Sequence, residues 1–395
     1  MSQLHPQIVN FCLRAVVCTT LKGTQRGKMM KILFISGADK KFDGRTRELE
    51  SILKRIGNVT SLTPSPENVA ENDITVKSPD KGYVSFIMSV AAACRDIEDV
   101  DIIFADNRKA SVPALRAKKK YKNAKLVYDA RELYFYREMT SLSGKIGCVF
   151  EKRMLEKADF VICAGRERKE IMEKEYNLKN PVMVFENFRK LVYDGADTDG
   201  FAEKYAYLFN GGRFNIISTA GCEPDRGTEE LIKALGKMDF SAAAVLVGCK
   251  DDDNRRAMER LVKESGNPEV AFIPRVGMNE LKYLIGKSDV GIAVYHKRNM
   301  NNKYCSSGKI YEYLYEGIPI VTSDNPPLRH FNDKYHVGES VEDLAAGIKL
   351  VHDNYDFYKD NVNGIVEKGV VEKGQEEFKE ILEKNLKGNV KDMEV

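Results

Sequence analysis

The chain has 395 residues, with 43% hydrophobic and 31% charged; at about 100–200 residues per domain this predicts two domains and excludes a disordered or collagen-like chain. Lys+Arg number 62 and Asp+Glu 59, a net charge of +3, which excludes a nucleic-acid binder that works through bulk charge and makes any polyanion site local.

Met29-Met30-Lys31-Ile-Leu-Phe-Ile-Ser36 reads as a natural start running into a buried strand. Residues 1–28 then read as an extension outside the fold, an upstream-start artefact or a weak amphipathic helix. Strands are predicted at Lys31–Ser36, Val59–Leu62, Ile102–Ala105, Lys125–Tyr128, Phe160–Cys163 and Val182–Phe185, with helical patterns between them. This alternation is the pattern of a parallel, doubly wound sheet. Residues 188–212 interrupt it with turn-rich Asp194-Gly195-Ala-Asp197-Thr-Asp199-Gly200 and Asn210-Gly211-Gly212, which places a domain boundary there. It resumes with strands at Phe214–Ser218, Ala242–Val247, Val270–Ile273, Val290–Val294 and Ile318–Thr322. After Tyr335 no further strand is predicted, only helices over 341–352 and 375–386. The expected organisation is a first domain over 29–200, a second over 201–370, and a terminal helix and tail over 371–395 packing back towards the first. The fold class is α/β, with two Rossmann-like doubly wound parallel-sheet domains facing a central cleft.

The 8 cysteines (Cys12, Cys18, Cys94, Cys148, Cys163, Cys222, Cys249 and Cys305) form no C-x-x-C pair, and the 5 histidines form no H-E-x-x-H helix. Scattered thiols in a chain of this size fit a reducing cytoplasm. No apolar run reaches the ~18 residues of a membrane-spanning helix. The nearest, Ile8–Leu21, carries Arg14 and makes a poor signal peptide.

Two loops carry chemistry. Ser218-Thr-Ala-Gly221-Cys-Glu-Pro-Asp-Arg226-Gly follows a strand and opens a helix, so Gly221 permits close approach of a ligand and Arg226 can hold a phosphate. An ordinary strand-to-helix turn reads the same way. In Tyr304-Cys-Ser306-Ser307-Gly308-Lys309-Ile-Tyr-Glu312, hydroxyls, a glycine and a lysine precede a helix, which suits a diphosphate. Glu312 lies one turn on, where it can accept from two ribose hydroxyls. A capped helix with a Lys–Glu pair is the plain alternative.

This last segment resembles the donor-binding signature of the large retaining glycosyltransferase family of the GT-B fold, family four (glycosyl transferases group 1), which reads P-N-K-hydrophobic-aromatic-E-Y-hydrophobic-x-x-G-x-P-V. Further segments resemble the family in order: Met30–Ser36 with Gly44, Leu126-Val-Tyr-Asp-Ala-Arg-Glu-Leu133, Ala158–Cys163, Phe185-Glu-Asn187, Arg226–Ala234, Ala244–Gly248 and Ser288–Ala293. Together they cover roughly residues 30–385. The resemblance implies a nucleotide-sugar donor in the second domain, an acceptor in the first, transfer with retained anomeric configuration and no metal. By position it implies Glu312 on the donor ribose; Arg226, Lys309, Gly221 and the Ser306–Ser307 amides at the diphosphate; and Gly44 leaving room between the domains. It also brings Gly248, Tyr304 and Gly308 to the donor, and Asp129, Arg131 and Glu132 to catalysis with Arg226 and Lys309, the alternative for the first three of these being a structural network at a strand end. His296, at the carboxyl end of the strand over 290–294, lies on the cleft side as a donor contact or reads as a surface histidine. The nucleotide sugar is a substrate rather than a cofactor, with UDP-sugar favoured over GDP-sugar.

Two positions depart from the pattern. The first glutamate of the family's E-x7-E pair is Tyr304, and the histidine of its D-A-H-E stretch is Arg131, which cannot act as a general base. Asp251-Asp252-Asp253 reads as a solvated helix start before it reads as a metal site. Arg108, Lys109, Arg116, Lys118, Lys119, Lys120, Lys122 and Lys125, with no acid among residues 108–125, read as a solvated face or as a patch for anionic lipid. The expected function is a cytoplasmic retaining glycosyltransferase, at the inner membrane face, moving a sugar to a glycan or lipid-linked acceptor in cell-surface polysaccharide synthesis. The alternatives are a catalytically weakened partner subunit and a nucleotide-sugar 2-epimerase.

Overall fold

The computed structural model describes residues 29–65, 72–191, 199–209, 211–266 and 268–387; the expected extension 1–28, with Cys12 and Cys18, and the turn at 194–198 lie outside them. In chain order the first domain holds β1 (Met30–Ser36), α1 (Gly44–Lys54), β2 (Gly57–Thr63), β3 (Asp73–Thr75), α2 (Tyr83–Ala93), β4 (Ile102–Asp106), α3 (Ser111–Lys120), β5 (Lys125–Ala130), α4 (Leu142–Lys157), β6 (Phe160–Cys163), α5 (Arg166–Tyr176) and β7 (Val182–Val184). The second holds α6 (Asp199–Tyr205), β8 (Phe214–Ser218), α7 (Thr228–Leu235), β9 (Ala242–Val247), α8 (Asp253–Glu264), β10 (Glu269–Ile273), α9 (Met278–Gly286), β11 (Val290–Ala293), α10 (Met300–Lys303), α11 (Gly308–Tyr315), β12 (Ile320–Ser323), α12 (Pro326–Tyr335), β13 (Gly338–Val341), α13 (Leu344–Asp353) and α14 (Tyr355–Glu367), before α15 (Val370–Lys387).

The sheets run β3-β2-β1-β4-β5-β6-β7 and β10-β9-β8-β11-β12-β13, parallel throughout. Two doubly wound parallel sheets are therefore present, as the strand–helix alternation predicts. Of the four edge strands, the sequence reading misses two, β3 and β13. Glu339 and Ser340 of β13 and Asp73 of β3 are polar, and a short edge strand covered on one side needs no apolar run. The prediction that strands end at Tyr335 is thereby corrected: β13 pairs with β12, Ile320 opposite Gly338.

Helices cover both faces, so successive residues of each inner strand enter opposite core layers. Leu33, Ile35, Ile103, Leu126 and Tyr128 point into one layer, and Ile32, Phe34, Ile102, Phe104 and Val127 into the other. Each such side chain contributes about 1.5–3 kcal/mol by burial. The second layer is closed by α15, whose Phe378, Leu382 and Leu386 lie in it. Phe378 stacks on Phe185 at 4.2 Å, and Lys125 Nζ donates to the carbonyls of Asn385 and Leu386. The last helix among the described residues thus belongs to the core of the first domain.

One titratable pair lies inside that domain. The Tyr128 hydroxyl donates to Glu151 Oε1 of α4 at 2.6 Å, with both residues buried. Burial pushes the Glu151 pKa up to about 7 despite that hydrogen bond and the charge of Arg108. The folded state therefore holds this proton more tightly than the unfolded chain. Its stabilising contribution is complete below about pH 4.5 and is lost as pH rises through 7. Glu151→Gln, which keeps the acceptor, is expected to make the stability difference between pH 5 and pH 8 smaller by about 3 kcal/mol, measured by urea unfolding at both pH values.

Candidate functional site

Strand order reverses between β1 and β4 in the first sheet and between β8 and β11 in the second. Ligands of such sheets bind outside the carboxyl ends of the strands at these switch points. On the first domain the ends of β1, β4 and β5 deliver Ser36, Asp106 and Asp129, all fully buried. Asp43 caps α1 by accepting from the Thr46 N–H at 2.8 Å, which sets the direction of Arg45. Arg45 makes a two-pronged contact with Asp129, Nε to Oδ2 at 2.8 Å and NH2 to Oδ1 at 2.7 Å, and donates to the Phe185 carbonyl. Both Asp129 oxygens are thus committed to Arg45. Asp129, expected among the catalytic residues, is 0% exposed and lines neither of the two cavities described below.

Arg131 is committed in the same way. NH1 and NH2 donate to Asp43 at 2.8 and 3.0 Å, NH2 also to Thr46 Oγ1, and Nε lies 2.6 Å from Asp106 Oδ1. Burial acts to raise the Asp43 pKa, but Arg131 and the Thr46 N–H hold it well below the usual carboxylate range. For Asp106, burial wins over Arg131 and lifts the pKa to about 6. Arg131 thus neutralises the loop that carries Gly44. Glu132 beside it is exposed and forms no ion pair among the described residues.

On the second domain Lys309 opens α11 and Arg226 ends the turn before α7. Both cations face the Tyr295 ring, Arg226 at 4.8 Å and Lys309 at 5.7 Å from its centre. The Tyr295 hydroxyl donates to Ser307 Oγ at 2.9 Å. Neither cation forms an ion pair among the described residues. Gly221 and Gly248 pack turn against turn: a Cβ on Gly221, whose φ is +65°, would come within 2.7 Å of the Gly248 carbonyl. Behind them the buried sulfurs of Cys222 and Cys249 are 3.1 Å apart.

Two cavities open between these loops. The smaller, about 240 Å³, lies between the domains. Six cations line it (Arg45, Arg131, Arg168, Arg189, Arg226 and Lys309) with only Asp43 and Glu132 against them, together with Asn187, Tyr295, Ser306 and Gly308. The larger, about 610 Å³, lies on the first domain, shares Asp43, Arg131 and Glu132, and adds Asp39, Ser78, Asp80, Lys81, Asn107, Arg108 and Lys109. Of the residues singled out in the sequence, Arg131, Glu132, Arg226, Ser306, Gly308 and Lys309 converge on the smaller cavity. Ser307 backs it through Tyr295. Gly221 and Gly248 shape the turn behind, and Gly44 and Glu312 both lie against Arg189.

Two of the residues named from the sequence lie off both cavities. His296 points to Glu230 of α7, Nε2 to Oε1 at 3.5 Å, and lines neither cavity. Tyr304 packs with Met300 against the core of the first domain, because the segment carrying them crosses the cleft. Arg168 receives that segment: Nε donates to the Tyr304 carbonyl at 2.6 Å and NH2 to the carbonyl and side-chain oxygens of Asn301, both at 3.0 Å. The Leu133 N–H donates to Asn301 Oδ1 at 2.9 Å, and the Met300 N–H donates to Glu138 at 3.1 Å. Sequence reasoning missed Arg45, Arg168 and Arg189. Arg168 sits in the charge run Arg166-Glu-Arg-Lys-Glu170, which looks like a solvated helix face. Asp252 caps α8 through the Arg255 N–H at 3.1 Å and Asp253 pairs with Arg256, so the Asp251–Asp253 run is a helix start.

No protein-family model matches the sequence, and no curated protein matches it. Solved structures do match. Sucrose-phosphate synthase from Thermosynechococcus elongatus superposes with a TM-score of 0.68 at 16% identity, over 89% of this chain and 99% of that one. Anabaena HepE in complex with UDP-glucose superposes with 0.67 at 16%, over 89% and 99%. WaaG, a glycosyltransferase involved in lipopolysaccharide biosynthesis, superposes with 0.65 at 14%, over 91% and 100%. The chain has the GT-B fold that these structures share.

Arg168 is buried, and burial lowers its pKa; it holds the domain crossing through carbonyl oxygens. Arg168→Leu strands those acceptors and is expected to cost about 3 kcal/mol or more, read as a fall of several degrees in Tm.

Proposed function

We propose that this protein is a glycosyltransferase that moves a sugar from a nucleotide-sugar donor to an acceptor hydroxyl. The observation that carries this reading is the pair of cations without carboxylate partners, Arg226 and Lys309, beside Ser306, Gly308 and the start of α11 in the interdomain cavity. In the reaction the bond from the sugar's anomeric carbon to the diphosphate breaks. The leaving nucleoside diphosphate gains negative charge, and cations already aimed at that place stabilise it without reorganisation. Glu312, one turn along α11, accepts from the ribose in this reading. The acceptor hydroxyl forms the new bond on the same face of the sugar, so configuration is retained, and its proton passes to the departing phosphate oxygen. Arg131 can take no proton, and Asp43 is held ionised by Arg131. The HepE complex with UDP-glucose supports a UDP-sugar as the donor.

The larger cavity, on the first domain, is the acceptor site in this reading. Four cations and four carboxylates line it, which suits a hydroxyl-rich acceptor. Its rim supports an acceptor carried on a lipid. Val84 of α2 is 73% exposed and Leu142 of α4 is 74% exposed, with Met88, Ile146 and Val149 also exposed on these helices. Helix α3 lies between them, and its Arg116 reaches Met88. The basic run 108–125 is less free than its charge suggests. Lys118 and Lys120 donate to backbone carbonyls, Lys109 pairs with Asp80, and Arg108 lies over Tyr134. In this reading membrane contact lies with the exposed apolar residues of α2 and α4 rather than with the basic run, and the role is in cell-surface glycan synthesis.

A second reading, a nucleotide-sugar binder with weakened turnover, draws on Tyr304, which leaves no carboxylate at that position. A thermal-shift panel of UDP, GDP, CDP, ADP and dTDP separates them. A ligand at about 100 times its Kd adds about 2.7 kcal/mol. One nucleotide is expected to stabilise the wild type and to lose that effect in Lys309→Ala and Glu312→Ala. Hydrolysis or transfer of the matching nucleotide sugar selects the enzyme, and its absence with tight nucleotide binding selects the binder. For the rim, Val84→Glu with Leu142→Glu is expected to abolish sedimentation with anionic vesicles and leave nucleotide binding unchanged.

A further inference from the structure

Arg189 sits on the chain leaving β7, in a stretch that reads only as turn-rich linker. Its side chain fills a slot bounded by one glycine from each domain. A Cβ on Gly44 would come 3.0 Å from Arg189 Cδ, and one on Gly308 would come 2.2 Å from Nε. A side chain at Gly308 would displace the arginine, and one at Gly44 would press against it. The guanidinium reaches Glu312, NH1 to Oε1 at 3.4 Å, and Asn187, Nε to Oδ1 at 3.4 Å. Arg189 lines the interdomain cavity while Glu312, 8% exposed, does not. The arginine is therefore the face that the cavity sees, and the glutamate lies behind it.

This arrangement answers a problem of charge. A buried carboxylate with no counter-ion is costly, so an empty ribose site needs a cation beside Glu312. That cation must also yield, because the ribose hydroxyls need the same oxygens. A contact of 3.4 Å from a side chain 29% exposed is weakly held. A guanidinium released there is still in the cavity, next to Gly308 and Lys309, where a diphosphate would lie.

We propose that Arg189 is a donor-binding residue that exchanges partners: in the empty site it neutralises Glu312, and when the ribose takes Glu312 the guanidinium turns onto the diphosphate. The proposal rests on the nucleotide-sugar reading of this cavity. It makes the diphosphate, rather than the nucleoside, the part of the donor that Arg189 recognises.

The test is titration calorimetry of UDP and uridine, or of GDP and guanosine if the panel selects guanine, on wild type, Arg189→Ala and Arg189→Lys, with Tm recorded for each. Arg189→Ala is expected to bind UDP about 10- to 100-fold more weakly and uridine at least as tightly as wild type. Arg189→Lys, which keeps the charge, is expected to recover part of the UDP affinity. Equal losses for UDP and uridine would show a structural role and overturn the proposal, as would unchanged UDP binding. Should Arg189→Ala fail to fold, a lysine variant that loses uridine as steeply as UDP overturns it. Wild type that binds no nucleoside diphosphate overturns the reading of the cavity itself, a result distinct from failure in the variants alone.

Discussion

The contact on which the site depends is a guanidinium–carboxylate pair closed off from water: Arg45 on Asp129, with side chains 2% and 0% exposed. It ties the start of α1 to the end of β5, and its remaining donor reaches the carbonyls of Phe185 and Glu186, where the chain leaves the first domain. Three elements distant in sequence are thereby held at one point. Breaking such a pair on one side leaves a buried charge and costs about 3–5 kcal/mol. The position of Gly44, the course of the linker and so the place of Arg189 all follow from this anchor.

The two domains treat charge differently. In the first, Arg45 and Arg131 are matched against Asp43, Asp106 and Asp129, and every member has a partner. This network is a rigid floor. In the second, Arg226 and Lys309 rest on an aromatic ring. An aromatic face attracts a cation without cancelling it, so the charge remains available to a ligand. Between a floor of paired charges and a wall of cations unpaired among the described residues, the cavity is suited to an anionic ligand.

The crossing segment around α10 packs a tyrosine where the pattern that this segment resembles carries a carboxylate. Met300 and Tyr304 bury apolar surface against the first domain, and Arg168 binds the intervening carbonyls. A glutamate at 304 would bring an unpaired charge into that contact.

Much of the architecture was legible in the residues alone. Apolar runs such as Ile102–Ala105 and Phe214–Ser218 alternate with helical patterns, and inner parallel strands must be apolar on both faces. The hydroxyls, glycine and lysine at the start of α11 likewise suggested an anion site from the residues alone, since helix starts expose N–H groups whatever the surroundings. The polar edge strands β3 and β13 carried no such pattern. Nor could any local signal separate Arg168 and Arg189 from surface arginines, or show that Asp129 and Arg131 are committed to partners. A charged side chain takes its role from what lies across the fold: Arg189 meets Glu312 over 123 positions of sequence and Arg168 meets Tyr304 over 136. Periodicity reports burial along a strand or helix, but the pairing of charges is a property of the assembled interior, where removal from water makes each partner obligatory.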